Sequence, residues 1–208
     1  LSLNGAAGLT MIPGDLTINN ATVTMVTNAG QIDPSSNVTI NGGGILTLIG
    51  SNPLTSLNFF NDGGNGNPTV NVNTLLTLTA PTAIEATNDT IGYTPIIQNT
   101  KLVLSDANPV IKVNAGLSPS GLIITAPLDT TGGGVITKTG GGSLILNGGT
   151  AHILTGGLNV NAGTLVFDNT PGTHPYGTRT IPPPDRPGPP PAPATRDAPD
   201  ATARPTHH

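Results

Sequence analysis

The sequence predicts an all-β fold: a right-handed single-stranded parallel β-helix over residues 1–168, followed by a disordered proline-rich tail or linker over 169–208. Three observations lead there. Apolar residues alternate with Thr, Asn and Ser in short runs, the two-residue period of a strand with one buried face. Between the runs stand Gly, Asn, Asp, Ser and Pro, which favour tight turns and are depleted from strand interiors. Related positions recur at roughly twenty residues, a repeat length of solenoids in which each coil covers the next.

Taken along the chain, the inward pairs are Leu16/Ile18, Val23/Met25, Val38/Ile40, Leu46/Leu48, Val70/Val72, Leu76/Leu78, Leu102/Leu104, Ile111/Val113, Leu122/Ile124, Leu144/Leu146, Leu158/Val160 and Leu165/Phe167. Each run is too short to stand alone, and stacked coils let it pair above and below. With strands about 4.8 Å apart, roughly eight coils would make a rod on the order of 40 Å long. A β-sandwich would need longer strands and hairpin turns of defined type. Asn flanks many pairs, as in Thr69-Val-Asn-Val-Asn73 and Asn159-Val-Asn161. Such Asn either stack at a corner into a hydrogen-bonded ladder or face water in a turn; both readings stay open.

Composition narrows the function classes. Charged residues are 9% and aromatics 2% of the chain, so a core built on large rings is excluded, and charge is far below the usual quarter. Net charge is −4, and the only Lys before the tail are Lys101, Lys112 and Lys138, with no Arg. That lacks the dense basic stripe nucleic acid requires. The absence of Cys excludes disulfides and thiolate metal sites.

The segment Gly132–Phe167 reads GGGVITKTGGGSLILNGGTAHILTGGLNVNAGTLVF. Lys138 precedes a Gly triplet, Leu144 and Leu146 precede a Gly pair, Thr155-Gly156-Gly157 makes a turn, and Asn161-Ala162-Gly163-Thr164-Leu165 closes the unit. In these residues the segment resembles the autotransporter-associated β-strand repeat of passenger domains that Gram-negative bacteria export to their surface. The resemblance implies a parallel β-helix exported through a C-terminal barrel outside this chain, and a place at the cell surface or in the medium.

Composition breaks at Pro171. Residues 171–208 hold twelve of the 21 prolines and all four Arg, with no Asn. Pro182–Pro184 and Pro189–Pro191 favour extended polyproline II, and proline removes the donors a ladder needs. Leu1 opens the sequence with no basic segment before an apolar stretch. No run is long enough to span a bilayer as a helix. We read the chain as an internal fragment of a longer exported protein.

The residues that could carry chemistry are few. His152 sits in the turn Gly149-Thr-Ala-His-Ile153 with no nucleophile elbow nearby, and reads as an exposed loop histidine whose replacement is silent. Glycoside hydrolysis needs two carboxylates at defined separation; roughly one-coil spacing links Asp15 to Asp33, Glu85 to Asp106 and Asp106 to Asp129, where turn capping is the simpler role. Sugar platforms would have to come from Phe59, Phe60, Tyr93 and Phe167. Asp62-Gly-Gly-Asn-Gly-Asn-Pro68 approaches the Ca²⁺-binding nonapeptide but has Pro68 at the ligand position. The expectation is no catalytic, cofactor-binding or metal residues. The function expected is a non-catalytic surface-exposed passenger fragment, a structural stalk or adhesin for a host-cell or matrix ligand. The alternatives are a β-helical polysaccharide-degrading enzyme or tailspike-like depolymerase, or a repeat domain of an unrelated secreted protein.

Overall fold

A computed structural model describes residues 1–168, and the tail expected to be disordered, 169–208, lies outside the described residues. The alternating runs form strands that all pair in parallel, in three sheets of eight, seven and four strands. The seven-stranded sheet holds Leu16–Asn19, Asn37–Asn41, Ser56–Asn61, Thr82–Asn88, Val110–Val113, Ile136–Thr139 and Leu158–Val160. After each of these the chain turns into the eight-stranded sheet, which runs from Ser2–Leu3 to Thr164–Asp168. In the middle coils it then adds a strand to the four-stranded sheet: Ser51–Leu54, Leu75–Leu78, Leu102–Leu104 and Leu128–Thr130. The result is a parallel β-solenoid. Among the described residues the only helical element is a single 3-10 turn, Thr131–Gly133, and no helix is long and apolar enough to cross a membrane.

The solenoid has about seven coils, one fewer than the sequence estimate. The reason lies in the register. Along the eight-stranded sheet the rungs are Val23, Leu46, Val70, Ile97, Ile124 and Leu146. The steps from Val70 to Ile97 and from Ile97 to Ile124 are the longest, so the middle coils consume more chain than a fixed period allows.

Alternation puts one side chain of each pair of neighbours inside. Of the inward pairs read from sequence, all from Val23/Met25 to Leu144/Leu146 are buried, and Phe59 is the largest fully buried side chain. Burying each such residue contributes about 1.5–3 kcal/mol, and rung-on-rung stacking joins the layers into one core. The last coil keeps the inward phase but has no described coil beyond it. Leu158 and Leu165 are therefore only half-buried, and Val160 is 44% exposed.

Candidate functional site

The turn from the seven-stranded to the eight-stranded sheet is short in the outer coils, over residues 20–21, 42–44, 140–142 and 161–163. In three consecutive middle coils it becomes a loop, over 62–68, 89–95 and 114–121. Parallel coils align equivalent turns, so the three loops stack.

Two buried asparagines anchor them. Asn61 and Asn88 end neighbouring strands at the same rung, and the Asn61 amide donates to Asn88 Oδ1 at 2.6 Å. Asn88 Nδ2 donates to the carbonyls of Tyr93 and Ser120, one in each of two loops. Above them the loops brace each other. Gly63 N–H donates to Thr90 Oγ1 at 2.7 Å, Thr94 N–H to Asn67 Oδ1 at 2.8 Å, and Leu117 N–H to Asp89 Oδ1 at 3.1 Å. On these braced loops Ile91 and Leu117 are 74% and 73% exposed. A shallow concavity lies between loop 62–68 and the short turns of the preceding coils, lined by Asn20, Gly43, Ile45, Gly64, Asn65 and Gly66. The site presents two apolar side chains on loops braced by hydrogen bonds.

The asparagine question resolves both ways. Asn61 and Asn88 form the inward ladder. Asn71 faces outward and joins Thr47 at 3.2 Å and Gln98 at 2.7 Å, a ladder on the outer face of the eight-stranded sheet.

The carboxylates weighed for chemistry are dispersed. Asp15 Oδ1 accepts the Asn37 N–H at 2.7 Å, and Asp106 Oδ1 accepts the Asn108 N–H at 2.9 Å. Hydrogen bonds from the Ser35 hydroxyl and N–H hold the Asp33 carboxyl below its ordinary value. Glu85 shares a rung with Lys112 and pairs with it at 2.9 Å; that contact and a hydrogen bond from Asn114 lower its pKa. Asp129 shares a rung with Val103 and pairs with Lys101 at 2.9 Å. Neither Glu85 with Asp106 nor Asp106 with Asp129 is joined by strand register. Of the aromatic residues weighed as platforms, Phe59 is core and Phe60 is 43% exposed. In the Asp62–Pro68 loop Asn67 Oδ1 is engaged by the next loop. Among the described residues no group of three or more His, Asp or Glu is placed to hold a metal.

His152 corrects the sequence reading. It is not an exposed loop residue but is buried, with 4% of its surface accessible. Ile153 bridges to Asp129, so the segment continues the four-stranded sheet by one residue and turns the imidazole toward Leu128. Nδ1 accepts the Leu128 N–H at 3.0 Å, Nε2 is buried without a protein partner, and burial pushes the pKa down.

Lys138 is the second residue whose burial the sequence reading missed. It is fully buried, and its Nζ donates to the carbonyls of Thr139, Gly140 and Ala162 at 3.3, 3.0 and 2.8 Å. Three donors meet three acceptors, as an ammonium group requires. Desolvation lowers its pKa. The signal was in Ile136-Thr-Lys-Thr139: Ile136 sets the inward phase, and Lys138 shares it.

Comparison with protein-family models, with curated proteins and with solved structures finds no match for this chain.

Proposed function

We propose that the chain is a non-catalytic, surface-exposed or secreted passenger segment of an autotransporter. The solenoid acts as the stalk, and loops 62–68, 89–95 and 114–121 act as its adhesive face for a host-cell or matrix ligand. The observation that carries this is the pair Ile91 and Leu117, about three-quarters exposed on loops whose backbones are fixed by mutual hydrogen bonds. Binding residues are drawn disproportionately from loops held by a rigid scaffold, and a preorganised surface loses little entropy on association.

The residues behind the autotransporter resemblance support the same reading through physics. Lys138 ties one coil to the next through Ala162. Gly156 and Gly163 sit where a Cβ would run into carbonyl oxygens of the preceding coil. These features favour a coil that stacks on copies of itself. A polysaccharide-degrading β-helix draws less support, because Glu85 and Asp129 are engaged in ion pairs with Lys112 and Lys101.

Two measurements test the proposal. Protease treatment of intact source cells should release peptides of this chain; exclusive recovery from the cytosol would overturn the display role. An Ile91→Ser/Leu117→Ser variant should lose binding to cultured cells or matrix-coated wells while its unfolding free energy changes by less than about 1 kcal/mol, since exposed substitutions are each usually within about 0.5 kcal/mol. Unchanged binding would remove the loops from the adhesive face.

A further inference from the structure

We propose that His152 is an acid-sensitive latch: below neutral pH the protonated imidazole frees the last described coil, residues 147–168, from the four-stranded sheet. The molecule supplies its own comparison. Three buried side chains accept a backbone N–H from the preceding coil along this side of the solenoid. Gln31 Oε1 takes Gly5 N–H at 2.9 Å, Asn52 Oδ1 takes Gly30 N–H at 2.9 Å, and His152 Nδ1 takes Leu128 N–H at 3.0 Å. Asn52 and His152 even close the same column, which runs Asn52, Leu76, Leu102, Leu128 and then His152. An amide oxygen accepts at any pH. An imidazole Nδ1 accepts only while it is unprotonated.

The hydrogen bond fixes the tautomer. Nδ1 is the acceptor, so the neutral ring carries its proton on Nε2. A second proton on Nδ1 sets two N–H groups against each other and creates a buried cation. Among the described residues no inward carboxylate is at hand to stabilise it. On the facing strand Leu128–Thr130, Asp129 points to the outer side and is paired with Lys101. Strand Leu102–Leu104 holds no titratable residue, and segment 148–158 holds none besides His152 itself. Across the same end of the core the nearest inward ionisable residue in the strands is Lys138, of the same sign. Thr130 Oγ1, also buried, has no protein partner.

The direction of the pH effect follows. Burial lowers the pKa of His152 in the closed coil below the ordinary imidazole value of 6.5, so the open coil takes up the proton first. The latch is at full strength above about pH 6.5 and weakens as pH falls through the window beneath it. The opening is local, since among the described residues this coil contacts only one neighbour.

Hydrogen–deuterium exchange of the full chain tests this, with opening corrected for the intrinsic pH dependence of exchange. From pH 7.5 to pH 5, protection of peptides within 147–168 should fall, by at most the roughly thirtyfold that an imidazole of ordinary pKa in the open coil allows. Peptides within 69–104 should hold theirs. The variants His152→Gln and His152→Asn, which keep an acceptor that does not titrate, should flatten the response. An equal acid response in both variants, or none in the native chain, overturns the latch. So does ¹⁵N spectroscopy of the native chain that finds the His152 proton on Nδ1 at pH 7.5, a result independent of how any variant folds.

Discussion

Lys138 occupies the inward position that Ile111 fills one coil earlier. The column runs Val38, Leu57, Ile84, Ile111, Lys138 and Val160, so a single ammonium group interrupts a file of aliphatic side chains. It is tolerated because three turn carbonyls converge on it. The same carbonyls would lack that partner without it.

Lys138→Met keeps the volume and removes the donors. We expect a loss of about 1–3 kcal/mol, the cost of leaving buried acceptors unpaired, confined to the C-terminal coils. The pKa of Lys138 is lowered from 10.5 by desolvation, so the unfolded chain holds the proton more tightly. Its contribution is therefore greatest above pH 10.5 and declines as pH falls toward the folded pKa. Urea midpoints of the native chain and Lys138→Met at pH 7 and pH 10 should diverge as pH rises. A gap that narrows contradicts the buried, desolvated placement.

Asn88 should be the most sensitive polar residue of the loop site. Its amide serves two loop carbonyls, and its oxygen takes the Asn61 amide. Asn88→Ala removes the donor to the Ser120 carbonyl and leaves the Asn61 amide and the Tyr93 carbonyl only each other, at about 1–3 kcal/mol. Asn88→Asp should be worse, because a buried carboxylate would face the Tyr93 and Ser120 carbonyls with no proton to offer. The expected order of melting temperature is Asn, Ala, Asp, with faster exchange of the Thr94 and Leu117 amides in both variants. Equal exchange would mean that the loops hold their shape without the ladder.

Two glycines of the C-terminal repeat should respond oppositely to alanine. Gly163 has φ 70°, and an added Cβ would collide with carbonyl oxygens of Gly140 and Gly142 in the preceding turn. Gly163→Ala should cost about 1–3 kcal/mol in backbone strain, before the collision is counted. Gly149 has no atom near a built Cβ and no positive φ. Gly149→Ala should be neutral or stabilise by about 0.4–1 kcal/mol, by restricting the unfolded chain. Thermal denaturation of the two variants reads both signs in one experiment.

Most of the solenoid was legible because a half-buried strand writes its inward face into every second residue, as in Val70-Asn-Val72 or Leu144-Ile-Leu146. The four-stranded sheet was less so. Its first strand, Ser51–Leu54, contains Pro53, which argues against a strand; the strand lies at the sheet edge, where a missing N–H costs little. Its last strand, Leu128–Thr130, has only one apolar inward residue. His152 was missed for a related reason. Only Ile153 of its segment makes a bridge, too little alternation to reveal which side faces the core. The loop site was not legible as a braced surface. Its hydrogen bonds join residues a full coil apart, such as Gly63 with Thr90, and appear only once the register is known.

Leu146 and Val160 share the inward phase near the end of the solenoid but differ in what covers them. Leu146 lies between Ile124 and Phe167 on neighbouring rungs and is 1% exposed. Val160 follows Lys138 as the last described rung of its column and is 44% exposed. Leu146→Asp places an unpaired charge in the core and should cost more than about 3 kcal/mol. Because coils contact only their neighbours, the loss should open the C-terminal coils first and leave the middle ones folded. Val160→Asp keeps its carboxylate in water and should cost under about 1 kcal/mol. Limited proteolysis should therefore trim Leu146→Asp back toward residue 130 and leave Val160→Asp resistant. Equal resistance of the two would mean that the core does not extend to this rung.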